Sequence, residues 1–243
     1  MNSNPVALIT GAAIRVGRAI ALRMADAGFD IAFTYLTSQK PADQLVQDLR
    51  AKGKSALAIQ ADLTQPENSI DPIYKSVFDR FARLDLLVNS ASIYEKDAQG
   101  VAAIAQMRRL SSIHIEAPLL LARTFTPMLK AAGGSIINMV DLMAERPIPG
   151  YLNYCASKAG LWNLTLGLAR ALAPEIRVNA IAPGVVQWPQ DYPLDEREKY
   201  LRRVPLARPG TPADVAQAVH FLATTGTYIT GQILRIDGGR SIS

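Results

Sequence analysis

Tyr154 and Lys158 stand four residues apart in the run Tyr154-Cys155-Ala156-Ser157-Lys158, with Asp141 upstream of both. On a helix that spacing puts a phenol and an ammonium on one face, one turn apart. A neighbouring cation favours phenolate, so Lys158 is expected to lower the Tyr154 pKa and make its hydroxyl a proton donor near neutral pH. The pair recurs by chance on ordinary helices, so its meaning depends on the elements that hold it. Cys155, the one cysteine, reads as a small apolar filler that has no intrachain disulfide partner.

Those elements are legible as an alternation. Short aliphatic or β-branched runs are expected as strands at Val6–Thr10, Asp30–Leu36, Ala56–Gln60, Leu84–Asn89, Ser135–Val140, Arg177–Ala182 and Ile233–Asp237. Helical segments fit between them at Arg18–Ala27, Pro41–Lys52, Ser69–Phe81, Val101–Lys130, Tyr154–Ala173 and Pro212–Ala223. The strands are apolar almost throughout, as strands covered on both faces are. The expected fold is a single-domain, doubly wound (Rossmann) α/β structure over residues 1–243, with a seven-stranded parallel sheet and helices on both faces. At 243 residues and 49% hydrophobic, the chain can bury one substantial core.

The net charge of +5 comes without a long basic run, since Arg108-Arg109 and Arg202-Arg203 are isolated pairs. Nucleic acid is therefore not an expected partner, and a mild positive excess suits an anionic cofactor. No apolar stretch is long enough to span a bilayer, and Met1-Asn2-Ser3-Asn4-Pro5 has no export signal, so a cytoplasmic protein is expected. No metal site is expected. Ala159, Leu161, Trp162, Leu164, Leu166, Leu168, Ala169 and Leu172 leave the Tyr154–Ala173 helix little polar face. A subunit interface would cover it, and a homotetramer is expected; the alternative cover is the loop after Pro183.

The segment from Val6 to Arg18 has the pattern strand, tight turn, helix start. Gly11 permits the turn, Gly17 permits close approach of helix to strand, and the helix N-terminus offers free N–H groups to a pyrophosphate. Arg15 adds a guanidinium able to grip a phosphate. The second strand closes with Thr34-Tyr35-Leu36-Thr37-Ser38, without the carboxylate that would bond a ribose 2′-hydroxyl; Asp30 is at its other end. Arg15 and Ser38 fit a 2′-phosphate, so NADPH is the expected cofactor. Asp62, in Ala61-Asp62-Leu63-Thr64, is placed to accept from an adenine amine, to cap the next helix, or to do both. Asn89-Ser90-Ala91-Ser92 ends the fourth strand where a cofactor would cross the sheet edge.

Together, Thr10-Gly11-x-x-x-Arg15-x-Gly17, Asp62, Asn89-Ser90-Ala91-Ser92, Tyr154-x-x-x-Lys158 and Pro183-Gly184 resemble the short-chain dehydrogenase/reductases along essentially the whole chain. Arg15, the segment Val140 to Pro147, and Tyr154 to Lys158 followed by Ala182-Pro183-Gly184 and Trp188-Pro189 resemble the pteridine reductases within that superfamily. The resemblance implies Asp141, Tyr154 and Lys158 as the catalytic group. It implies cofactor contacts from Gly11, Arg15, Val16, Gly17, Tyr35, Thr37, Ser38, Asp62, Leu63, Asn89, Ser90, Ala91, Lys158, Pro183, Gly184 and Val186. Substrate contacts are implied for Arg15, Ser92, Tyr94, Asp141, Tyr154 and Trp188, with a pterin stacked on the Tyr94 ring. Three departures stand out: Thr37 where relatives often carry an arginine, His114 where superfamily members carry an asparagine, and Ser90 for the second asparagine of an Asn-Asn-Ala motif.

Asp141 also carries a chemical argument. Carbonyl reduction places negative charge on oxygen, and a site for it presents donors; an ionised aspartate would repel that oxygen. Reduction of a ring C=N needs a proton at nitrogen, which a carboxylate can help carry. A helix cap or an ion pair to Arg146 is the structural alternative for Asp141. The expected activity is NADPH-dependent reduction of dihydropterins, with dihydrofolate a further substrate. The alternatives are a carbonyl reductase of the 3-oxoacyl thioester type and a non-catalytic NADP-binding sensor. A segment at about 185–210, with Trp188 and Tyr192, is expected to cover substrate, and Glu196–Arg203 within it suits a solvated helix face equally.

Overall fold

The structure is a computed structural model and describes residues 4–188 and 192–243. Met1, Asn2, Ser3 and Pro189, on which parts of the sequence reading fall, lie outside the described residues.

The strands are β1 (Val6–Ile9), β2 (Asp30–Tyr35), β3 (Ala56–Gln60), β4 (Leu86–Asn89), β5 (Ser135–Met139), β6 (Arg177–Pro183) and β7 (Ile233–Ile236). Every pairing is parallel, and the order β3-β2-β1-β4-β5-β6-β7 is the expected seven-stranded doubly wound sheet. The order reverses between β1 and β4, so their carboxyl ends part there and leave a crevice. Strand bounds differ from the sequence expectation by a residue or two.

Helices α1 (Arg15–Asp26), α2 (Gln39–Ala51), α3 (Pro66–Phe81), α4 (Ala102–Ser111), α5 (Ala117–Ala132), α6 (Leu152–Leu172), α7 (Leu194–Leu201) and α8 (Pro212–His220) connect them. In α1 the buried positions Gly17, Ile20, Ala21, Met24 and Ala25 recur at helical spacing and turn one stripe to the sheet. One core layer joins Ile9, Ile20, Met24, Phe33, Leu45 and Val219 on one face of the sheet. The other joins Leu8, Ile73, Leu121, Phe125, Ile136 and Val178. A capping box between Thr211 and Asp214 starts α8.

The helix expected over Val101–Lys130 is three pieces, because a π-turn at Ser112–Glu116 separates α4 from α5. The apolar period is continuous through it, so residue spacing gives no sign of the interruption. Such turns widen the backbone ring by one residue and swing a side chain out of register. Here the central side chain is His114, 1% exposed.

A buried polar ladder crosses the sheet beneath the crevice. Asn89 Nδ2 donates to Asn138 Oδ1 at 2.8 Å, Asn138 Nδ2 donates to Thr165 Oγ1 at 2.9 Å, and Thr165 Oγ1 donates to the Leu161 carbonyl at 2.8 Å. The ladder locks β4 and β5 to α6. Asn138→Ala strips partners from two buried groups and should lower unfolding stability by about 1–3 kcal/mol. A urea unfolding curve coincident with wild type would show that the ladder is not a stabilising tie.

Candidate active site

At the mouth of the crevice the loop after β1 and the loop after β4 are knitted together. Thr10 Oγ1 accepts from the backbone N–H groups of Ser90 and Ala91 at 2.9 and 3.0 Å, while Gly11 N–H donates to Thr34 Oγ1 at 3.1 Å. Gly11 has φ +65°, and a Cβ there would lie 2.8 Å from Ala91 Cα. A Cβ on Gly17 would lie 2.6 Å from the Gly11 carbonyl oxygen. Both glycines are therefore required by contact as well as by turn shape. The buried Asn89 Oδ1 has no hydrogen-bond partner among the described residues. This close backbone approach, the α1 N-terminus behind it and an orphan acceptor at the strand end fit a dinucleotide.

The remaining cofactor candidates are placed unevenly. Arg15 is the first residue of α1, exposed, with φ 52°, the left-handed region that non-glycine residues seldom occupy. Its guanidinium crosses the crevice to Gln187, with Nε 3.4 Å from Oε1 and Nη2 3.3 Å from the carbonyl oxygen. It thus spans the loops after β1 and β6, where Gly184 and the partly buried Val186 also lie, beside Pro183 closing β6. Val16 packs on the core edge. Tyr35 packs into the core and donates its hydroxyl to Gln39. Thr37 is exposed, and Ser38 starts α2 without a side-chain capping bond. Asp62 Oδ1 accepts from the Thr64 N–H and hydroxyl at 2.9 and 2.7 Å, which makes it a turn former; Gln65 begins α3 in its stead as the residue before the helix. Leu63 is buried beside it.

The chemical groups converge at the ends of β5 and α6. Asp141 follows β5 and accepts Met143 N–H at Oδ1, 2.8 Å, so the capping role holds. The alternative ion pair does not: Arg146 donates to the Ser243 carbonyl. Asp141 Oδ2 accepts the Tyr154 hydroxyl at 2.9 Å. Lys158 Nζ, 2% exposed, donates to the Met139 carbonyl at 2.8 Å and lies 5.8 Å from the Tyr154 ring centre.

The titrations follow from that burial. Burial lowers the Lys158 pKa to about 8, and the Asp141 charge opposes it. Burial raises the Asp141 carboxyl above its ordinary value, against the Met143 N–H, the Tyr154 hydroxyl and the Lys158 charge. Tyr154 corrects the sequence expectation. Its pKa is raised well above the ordinary value, first by burial and then by the charge and hydrogen bond of Asp141. Residue spacing showed the cation and not the nearer carboxylate, so in this chain the phenol is held protonated rather than pushed towards phenolate.

Aromatic residues wall the site. Tyr94 is 50% exposed, meets Tyr154 edge-on with ring centres 5.0 Å apart, and stacks on Tyr151 at 4.7 Å and 8°. Tyr151 was not found from sequence, and one Tyr94 face is occupied by it. Trp188 packs on Tyr192 at 4.9 Å and edge-on to Tyr200 at 5.4 Å, while Tyr200 Oη accepts the Val185 N–H. Both readings of Glu196–Arg203 have support, since α7 has an exposed charged face and also packs Arg197 and Tyr200 against Trp188. Ser92 is exposed, and its hydroxyl lies 2.8 Å from His114 Nε2.

A dinucleotide crevice beside a Tyr–Lys pair and a buried carboxyl group defines an oxidoreductase class, and comparison with known proteins agrees. Residues 11–241 match the family model described as enoyl-(acyl carrier protein) reductase. The 3-oxoacyl-(acyl-carrier-protein) reductase of Staphylococcus aureus is 36% identical over 244 residues, covering 98% of this chain and 99% of that one. The corresponding reductase of Synechocystis is 35% identical, covering 96% of each. Among solved structures, a blue fluorescent protein from a metagenomic library, in complex with NADPH, superposes with TM-score 0.89 at 35% identity over 99% of both chains. Acetoin dehydrogenase from Enterobacter cloacae gives TM-score 0.89 at 29% identity over 99% of this chain and 97% of that one. The chain belongs to the short-chain dehydrogenase/reductase superfamily.

The Lys158 titration is directly measurable. Because its pKa is depressed, the ammonium is present below about pH 8 and lost as pH rises through it. NMR of 13C-labelled lysine should show one side chain titrating near about 8, and Asp141→Asn should move that midpoint lower still, since the carboxylate holds the charge in place. An ordinary lysine midpoint for Lys158 would contradict the site electrostatics.

Proposed function

We propose that this protein is an NADPH-dependent reductase of a ring C=N bond in a dihydropterin, with dihydrofolate a second substrate of the same kind. The observation that carries the reading is the Asp141 carboxylate receiving the Tyr154 proton at 2.9 Å. A carbonyl reductase needs donors around an oxygen that gains negative charge, and an ionised carboxylate beside the proton donor opposes that charge. A ring nitrogen needs the opposite: a group that accepts N–H bonds and ferries a proton. Asp141, with its pKa raised by burial, is suited to hold a proton nearer neutral pH than an ordinary carboxyl.

NADPH supplies the hydride when bound. Gly11, Gly17 and the α1 N-terminus form its phosphate cradle, Asn89 and Lys158 stand where its ribose and nicotinamide would pass, and Arg15 with Ser38 would read the 2′-phosphate. Tyr154 holds a proton at Oη, Asp141 orients that hydroxyl, and Tyr94 forms a ring wall beside them. Assembly as a homotetramer is part of this reading, supported by the exposed apolar residues Val101 and Ile104 at and within α4 and Leu152 and Leu166 on α6.

A second reading has its own support. The curated relatives aligned along the whole chain are named for 3-oxoacyl thioester reduction. The deciding assay is NADPH oxidation with 7,8-dihydrobiopterin, dihydromonapterin and dihydrofolate beside a β-ketoacyl thioester. Turnover of the pterins is expected, with Asp141→Ser lowering it by about 10²-fold or more. Thioester turnover alone would replace the pterin reading, and NADPH binding without oxidation by any of them would mean a sensor.

Cofactor choice is tested separately. Arg15→Ala should weaken NADPH at least about tenfold more than NADH, because one charge-assisted phosphate contact is removed. Equal losses for the two would mean that Arg15 does not read the 2′-phosphate.

A further inference from the structure

His114 is buried, central to the π-turn, and bonded at both ring nitrogens, yet no step above uses it. Its Nδ1 lies 2.8 Å from Ser157 Oγ and its Nε2 lies 2.8 Å from Ser92 Oγ. Hydroxyl–imidazole pairs can run in either direction, but a third contact fixes these. Ser157 Oγ also lies 2.7 Å from the Tyr154 main-chain carbonyl, which can only accept. The single Ser157 proton therefore goes to that carbonyl, and Ser157 meets the imidazole as an acceptor. Nδ1 must carry the hydrogen. Burial and the Lys158 charge keep the ring neutral, so Nε2 has a lone pair and takes the one proton of Ser92.

We propose that His114 is a positioning residue that, as the neutral Nδ1–H tautomer, draws the Ser92 hydroxyl proton to Nε2 and so presents Ser92 to the substrate as a hydrogen-bond acceptor. Two consequences follow for the site. Ser92 also reaches the Tyr154 phenol, where its hydrogen bond acts to lower the phenol pKa; drawing the Ser92 proton to His114 relieves that pull and keeps Tyr154 a donor. Ser92 and Asp141 then both face the substrate as acceptors, which selects a donor edge: ring N–H or exocyclic amine groups, and not a carbonyl oxygen. That last clause rests on the C=N reading of function; the tautomer does not.

The chain has two histidines, and they give an internal contrast. His220 Nδ1 lies 2.9 Å from an Arg23 guanidinium nitrogen, which can only donate, so neutral His220 must be the Nε2–H tautomer. Long-range 1H–15N correlation on the full-length, 15N-histidine-labelled protein at neutral pH should show two rings of opposite tautomer, with His220→Gln assigning them. An Nε2–H ring at His114 overturns the proposal, whatever substrate is reduced. Ser157→Ala removes the acceptor that fixes Nδ1–H. It should yield a mixture of tautomers and raise KM for the dihydropterin about two- to tenfold while kcat changes less. A mixed tautomer with unchanged KM would overturn the link to substrate. The wild-type spectrum decides the tautomer even where the variant fails to fold. An Nδ1–H ring in a protein that turns over no pterin upholds the histidine assignment and overturns the function alone.

Discussion

A lysine ammonium held out of water governs this site. Lys158 is 2% exposed, and its hydrogen bond to protein is to the Met139 carbonyl. Desolvating an ion of that size costs several kcal/mol, which a single carbonyl does not offset. A carboxylate close by does more, and Asp141 is the group whose charge holds the ammonium. Each ionisation then depends on the others. The carboxyl resists charging because it is buried, the phenol because it is buried with the carboxylate beside it, and His114 because burial and the ammonium both oppose a second cation. The pocket holds one cation, one carboxylate and protons that have few places to go.

The fold brings these groups together with little chain. Met139 ends β5 and Asp141 follows two residues later, so acceptor and carboxylate arrive on one strand end. Residues 154 and 158 lie one turn apart near the start of α6, and the Asn89–Asn138–Thr165 ladder ties that helix to β4 and β5. The π-turn reaches α6 across Gly160, where a Cβ would lie 2.4 Å from Ile115 Cδ1. Gly160 leaves room for the Ile115 side chain there, and in the same turn the His114 ring lies edge-on to Tyr154 with centres 5.6 Å apart.

The sheet was legible in the sequence because strands buried on both faces are apolar throughout and their helices keep a 3.6-residue stripe. The Tyr154–Lys158 pair and the Gly11–Gly17 turn were legible for a similar reason: their meaning is local. What sequence missed depends on through-space neighbours. The Tyr154 pKa went the wrong way because the carboxylate that opposes Lys158 arrives from another element. The π-turn left no trace because its apolar residues keep the register of an ordinary helix, and the only hint was a histidine among aliphatic residues. Arg15 was read as a phosphate ligand from charge alone, whereas its left-handed backbone and its contacts to Gln187 come from the shape of the crevice. Asp62 carries a turn whose form spacing does not show, because its Oδ1 takes the hydroxyl and N–H of Thr64 just beyond the strand.

The likeness to carbonyl reductases and the chemistry of Asp141 answer different questions. The TM-score of 0.89 to two solved chains over nearly the whole length records a shared framework of sheet and helices. These fix where a hydride donor lies and leave open what accepts the hydride. Acceptance is set by the polarity of a few groups around one atom, and fold alone does not determine it. Asp141 sets that polarity as a carboxylate while capping the turn through Met143 N–H, a bond that a hydroxyl at the same place could equally accept. A side chain that satisfies the fold equally well in either form is free to differ in chemistry. A framework shared with these relatives therefore leaves the identity of the hydride acceptor to the few groups around it.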